Sequence, residues 1–132
     1  MMVTALVLLA GASAAQPQPD CTDPMTQTDM NICSYQSYQR ADAELNHAWK
    51  RAAEHAKARD RNAREWSGAS DAHARLLAAQ RAWLTFRDAH CLAENGTRAN
   101  SGTIWPLLQN TCLEALTEAR TAQLREYVEM SA

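Results

Sequence analysis

The chain has 132 residues and a formal charge of −2, with 13 Lys and Arg against 15 Asp and Glu. That balance supplies no cationic excess to hold a nucleic acid or an anionic membrane, and the length suits one domain, not two. Aromatic residues are 6% of the sequence, with Phe86 the one Phe, so four Trp and three Tyr supply much of the bulky apolar surface. Much of the 46% apolar fraction is Ala, which favours helix but buries little area.

The chain opens with an apolar stretch, Val3 to Ala10, followed by the small residues Gly11 to Ala15. With Ala12-Ser13-Ala14 as an A-x-A-like site, residues 1–15 read as a secretory signal, although no Lys or Arg precedes the apolar stretch. No cysteine closes that stretch, which argues against a lipid-anchored form. Cleavage would leave about 115 residues, with no further apolar run long enough to span a bilayer. Four cysteines, Cys21, Cys33, Cys91 and Cys112, in a short exported chain predict two disulfides made in an oxidising compartment. The expected location is the periplasm or the medium. Two crosslinks would contribute about 3 kcal/mol each and offset a thin core.

After an extended leader over residues 16–25, the first helix is expected to start at Thr26. Its side chain can cap the Asp29 N–H, and the Asp29 carboxylate suits the positive end of the helix. Asp23-Pro24 is a competing start. Apolar and small residues recur at steps of three and four from Met30 through Ala41, Leu45, Ala48 and Ala52 to Ala56, the stripe of an amphipathic helix. Good helix formers continue to about Glu65, and Ser67-Gly68 ends the run. An unbroken helix would be roughly 60 Å long, so a break or frayed end is expected between Ala58 and Asn62. A second helix is expected from about Asp71, capped by Ser70, to about Leu92, with Leu76, Leu77, Gln80, Trp83, Leu84, Arg87 and Cys91 inward. A Gly/Asn-rich connection runs from Glu94 to Gly102. Thr111 with Glu114 three residues on forms a capping box for the third helix, and an earlier start at Pro106 is open. No stretch alternates as a half-buried strand would. The expected fold is all-α: residues 26–130 as a single small three-helix bundle stapled by disulfides, its first helix long and subject to a break.

Three cysteine pairings are open. Cys33 lies roughly 10 Å into the first helix, within reach of a leader that folds back from Cys21. Cys91 and Cys112 flank the second connection. These placements favour Cys21–Cys33 and Cys91–Cys112.

Thr26-Gln-Thr-Asp-Met-Asn-Ile-Cys33, Ala41-Asp-Ala-Glu-Leu-Asn46, Ala79-Gln-Arg-Ala-Trp-Leu-Thr-Phe-Arg-Asp-Ala-His-Cys91, and Cys112 followed by Leu116-Thr-Glu-Ala-Arg120 occur in that order. The chain thereby resembles the LprI-type lysozyme inhibitor family, from Cys21 to about Leu124. The Gln-Arg-Ala-Trp…Arg-Asp…Cys segment is the most specific piece. Departures are small: Asp29 stands where Glu is usual, Trp49 where Tyr is common, and Ser101-Gly102 replaces a Gly-Gly-Ser-like turn. The resemblance implies an exported bacterial helical protein and, for some relatives, binding and inhibition of lysozyme. No catalytic residue transfers with it, and no cofactor is implied.

Gln80, Arg87 and Arg120 fall on otherwise apolar stripes, and buried charges require partners. Asp42 or Asp88 is therefore expected to pair with Arg87 or Arg120 between helices. Asn46 lies one turn from Asp42, and Thr117 shares a face with Arg120. These seven residues read as a structural polar network that sets helix register, with a ligand-binding cluster as the competing reading.

Catalytic patterns are missing: there is no Gly-x-Ser-x-Gly, His-Glu-x-x-His or phosphate loop. Glu44-Leu-Asn-His47 has the Glu-x-x-His spacing of di-iron bundles without the second copy those sites need. His55, His73 and His90 stand at no ligand spacing, so no metal site is expected. Cys-x-x-Cys is absent as well. Two surfaces could bind a partner. Lys50, Arg51, Lys57, Arg59, Arg61 and Arg64, against Glu54 and Asp60, make a basic helix face that is either solvated or a docking site. The connection before Cys112 offers Arg98, Asn100 and Ser101 on a small-residue tip and Trp105 as an aromatic anchor. Trp105 serves either as that anchor or as a cap on the bundle core. The expected function is an exported protein-binding module, not an enzyme, with lysozyme the partner the family suggests. The alternative is an envelope structural or stress module that contacts cell-wall or membrane components.

Overall fold

Thr26 accepts a hydrogen bond from the Asp29 N–H at 3.0 Å, and from this cap the first helix propagates. The computed structural model describes residues 17–131, so the expected signal at 1–15 lies outside the described residues. Within them are four helices and no strand: α1 Gln27–Trp66, α2 Ala72–Asn95, α3 Arg98–Ser101 and α4 Trp105–Met130. The three long ones form an up-down-up bundle. Asp60 meets the start of α2 and Asp42 its later half, so α1 and α2 are antiparallel. Gln80 meets Arg120 and Cys91 meets Cys112, which sets α2 and α4 antiparallel too. Asn31, Ser34, Ser37, Glu44 and His55 meet Thr103, Asn110, Glu114, Arg125 and Ser131 in matching order, so α1 and α4 run parallel. This parallel pair makes the most extensive interface.

Small side chains make the close approach possible. Ala41, Ala48, Ala52, Ala53 and Ala56 are buried along α1, and the core gathers Leu45, Ala48, Ala52 and Ala56 with Leu76 and Leu124. Trp49, Trp83, Tyr127 and Val128 pack on its rim, half-buried. The largest fully buried side chains are Leu124, Thr117 and Cys91, which is little apolar area for a domain of this length. Two disulfides, Cys21–Cys33 and Cys91–Cys112, close the chain at the leader and at the α2–α4 junction.

Five local expectations change. The break between Ala58 and Asn62 does not occur: α1 is continuous for 40 residues. That stretch holds no Gly or Pro, and Asp60 gives it a partner. Its carboxylate accepts from the Ser70 hydroxyl and from the Ala72 and His73 backbone N–H groups at 2.8 and 3.1 Å. Asp60 therefore caps α2 from another helix. This also explains the second correction, since Ser70 spends its hydroxyl on Asp60 and does not cap α2. Asp71 occupies the cap position without a side-chain cap bond and pairs with Arg75 at 2.8 Å.

The third concerns α4, which starts at Trp105 with Pro106 in its first turn, the earlier of the two starts. Pro there lacks an N–H that the helix would leave free anyway. The capping box is not used: the Thr111 hydroxyl donates to the Leu107 carbonyl at 2.8 Å, and Glu114 accepts from Ser37. The fourth is that the connection folds, with the one-turn helix α3 between Gly96 and Gly102. Both glycines sit at φ 67° with ψ near extended, −166° and −163°. Side-chain-bearing residues scarcely enter that region, so these glycines are conformational requirements. The fifth is Leu84, expected inward, which is 39% exposed.

Candidate functional site

The residues singled out from the sequence collect at two junctions and one tip. At the first junction Arg87 is buried at 7% exposure. Its Nε donates to Asp88 Oδ1 at 2.9 Å and Nη2 stands 2.9 Å from the same oxygen as an ion pair, while Nη1 reaches Thr117 Oγ1 at 3.4 Å and Asp42 Oδ1 at 4.0 Å. The guanidinium lies over the rings of Tyr38 and Trp83, 5.7 and 5.2 Å from their centroids. Arg87 thus touches all three long helices. Burial pushes the Tyr38 phenol above its ordinary value, and the adjacent guanidinium opposes that rise. Asn46 donates to Asp42 at 3.4 Å. The second junction is separate: Arg120 donates through Nε to Gln80 at 2.9 Å and through Nη1 to Gln123 at 3.0 Å. No carboxylate joins it, Arg120 Nη2 is buried without a partner, and desolvation lowers the guanidinium's affinity for its proton. The seven polar residues therefore fall into an Arg87 group (Asp42, Asn46, Asp88, Thr117) and an Arg120–Gln80 pair.

The tip is more rigid than a Gly/Asn-rich sequence suggests. The Ser101 hydroxyl donates toward the carbonyls of Asn95 and Thr97 at 2.9 and 3.0 Å. Asn100 bonds Thr97 through its backbone N–H at 3.1 Å and its amide at 3.3 Å. Trp105 is half-buried and donates Nε1–H to the Gly96 carbonyl at 2.8 Å. It fastens the loop instead of standing free of it. Arg98 and Asn100 remain exposed. Asn31 of α1 donates to the Thr103 carbonyl at 3.0 Å and ties the tip to the start of the first helix. Between them opens a cleft of about 470 Å³, with Thr28, Asn31, Arg98, Thr103 and Pro106 in its lining. The disulfide Cys91–Cys112 closes the base.

Two arrangements escape a reading by sequence. A groove of about 400 Å³ lies between α1 and α4, lined by Ser37, Arg40, Glu44, Glu114, Glu118 and Arg125, with Glu44 paired to Arg125 at 2.8 Å. Its charges come from helices more than sixty residues apart, so no local spacing announces it. Glu44 is thereby committed to an arginine, and His47 is exposed. The other arrangement corrects the reading of His90 as standing at no ligand spacing. His90 Nε2 contacts Glu94 Oε1 at 3.0 Å one turn on, and Cys112 Sγ lies within 4.8 Å of both. The i, i+4 spacing of His90 and Glu94 was visible; the sulfur arrives only through the disulfide. On the basic face, Lys57 pairs with Glu54 at 2.9 Å, and Arg59 donates to Tyr127 Oη at 3.2 Å. Lys50, Arg51, Arg61 and Arg64 are exposed.

The family model described as lysozyme inhibitor LprI matches residues 20–124, which spans all four cysteines, the Arg87 junction and the tip. The chain belongs to the lysozyme inhibitor LprI family. An uncharacterized protein of Rhizobium meliloti (strain 1021) is 40% identical to it over 128 residues, covering 94% of this chain and 89% of the relative. No solved structure matches. The LprI description is that of an inhibitor acting on another protein, and the two disulfides fit an extracytoplasmic location. Among the described residues no helix is long and apolar enough to cross a membrane.

Proposed function

We propose that this LprI-family chain is an exported inhibitor-like protein that binds a lysozyme through the α2–α4 tip and performs no bond-making step of its own. The match to a lysozyme inhibitor family across residues 20–124 carries this reading. The geometry of the tip supports the choice of surface. Glycoside hydrolases work through a pair of carboxylates at the cleft floor, and Arg98 presents a guanidinium, the side chain best shaped for a bidentate carboxylate contact. The rigid frame around it reduces the ordering cost that a free loop would bear on binding. Arg87 and Arg120 serve as the internal scaffold behind that surface.

A turbidity assay of bacterial cell-wall lysis tests the reading. The oxidised mature chain at micromolar excess slows lysis by a susceptible lysozyme, and Arg98→Ala weakens inhibition by about thirty-fold, or about 2 kcal/mol at a central contact. Unslowed lysis across several lysozyme classes rejects inhibition and favours the envelope-module alternative. Inhibition that survives Arg98→Ala unchanged moves the contact surface away from the tip.

A further inference from the structure

We infer that the α2–α4 junction is a latent binding site for a zinc-like divalent cation, opened when the Cys91–Cys112 disulfide is reduced. Four donor residues of suitable chemistry bracket this one junction. His90 Nε2 and Glu94 Oε1 are 3.0 Å apart, Cys112 Sγ lies within 4.8 Å of both, and Cys91 Sγ is bonded to it at 2.08 Å. The Phe86 ring lies against that of His90, with centroids 5.3 Å apart.

While the disulfide is intact its sulfurs are poor ligands, and the His–Glu pair alone is a weak two-donor site. A phosphine or dithiol reductant adds two electrons to the S–S bond, and uptake of two protons leaves two thiols. A divalent cation then displaces both thiol protons and gains two thiolates, an imidazole and a carboxylate. That set is tetrahedral and sulfur-rich, which selects zinc or cobalt(II) over magnesium or calcium. Ligand atoms around a tetrahedral zinc ion stand roughly 3.4 Å apart for nitrogen and oxygen and about 3.8 Å apart for two sulfurs. His90 and Glu94 separate slightly, while the sulfurs part by side-chain rotation. The metal would hold the end of α2 against α4 where the covalent bond held it before, so the tip keeps its base in either redox state.

Cobalt(II) is a direct probe. Titrated into the phosphine-reduced mature protein, it gives a thiolate-to-cobalt charge-transfer band and the intense visible bands of a tetrahedral site; the oxidised protein gives neither. His90→Ala and Glu94→Gln, both at partly exposed positions, each weaken cobalt binding by at least about tenfold. Cys21→Ser/Cys33→Ser retains the bands, and Cys91→Ser/Cys112→Ser abolishes them. If reduction alone melts the bundle, cobalt restores its helical circular dichroism, because metal binding to such a set is coupled to folding. Absence of the bands in reduced protein, bands indifferent to His90→Ala, or a reduced chain that stays unfolded with cobalt would overturn the inference.

Discussion

The Arg87 guanidinium lies over two aromatic rings, those of Tyr38 and Trp83, and the exposure of its carboxylate partners decides what its loss costs. Removing one member of a fully buried ion pair costs about 3–5 kcal/mol, because the other is stranded without water. From the sequence, with a single buried carboxylate, Asp42 or Asp88, as the partner, the lower end of that range is expected for Arg87→Ala. The structure revises this downward. The side chains of Asp42 and Asp88 are 42% and 61% exposed, so water takes over when the guanidinium goes. What remains is the lost packing on Tyr38 and Trp83 and the lost tie to Thr117. Arg87→Ala should lower stability by about 2 kcal/mol, in the range of a large buried side chain truncated to Ala. It should appear as a lower urea midpoint at unchanged slope; an unchanged midpoint would show that the junction does not hold the helices together. The residue types were legible in the sequence, since polar side chains on apolar stripes announce partners. Which carboxylate joins which arginine was not, because Asp42 reaches Arg87 only through the crossing of α1 and α2.

At the scale of elements, helix faces were readable from periodicity, while helix ends depended on contacts between helices. Asp60 is the clearest instance: on sequence it belongs to a basic helix face, yet it caps α2. The Ser70 hydroxyl, and then the backbone N–H groups of His73 and Ala72, hold its carboxyl below the ordinary value of 3.8. A carboxylate whose folded-state pKa is depressed stabilises above its unfolded value and loses that contribution as pH falls through the folded value. The start of α2 should therefore loosen in acid below about pH 3.8, seen as loss of amide protection at Ala72 and His73. Asp60→Asn should remove that pH dependence at these two amides; a titration identical in the variant would contradict the trans cap. The Ala stripe of α1 makes a second prediction. Ala52 is fully buried against the core, so Ala52→Leu forces α1 and α4 apart and costs about 1–3 kcal/mol by overpacking. A melting temperature equal to that of the parent chain would mean that the interface has slack.

Across the whole molecule, a thin core, two crosslinks and a capped loop combine into a scaffold that holds one small surface in place. The all-α class and both disulfide pairings came from features local in sequence: a 3.6-residue period, and cysteines flanking their own loops. The α1–α4 groove arises where distant segments meet, and chain spacing carries no trace of that meeting; of the His90–Glu94–Cys112 cluster, spacing shows the His90–Glu94 pair but not the sulfur beside it. Action by contact, without chemistry, is the claim that joins scaffold to function. Its most direct test is a titration of lysozyme activity with the oxidised mature chain, followed by recovery of both proteins. The account predicts inhibition that grows in proportion to the inhibitor added, ends at a fixed molar ratio, and releases both chains intact. Lysozyme that is inactivated by a small fraction of its molar amount, or that is not inhibited at all, would contradict it.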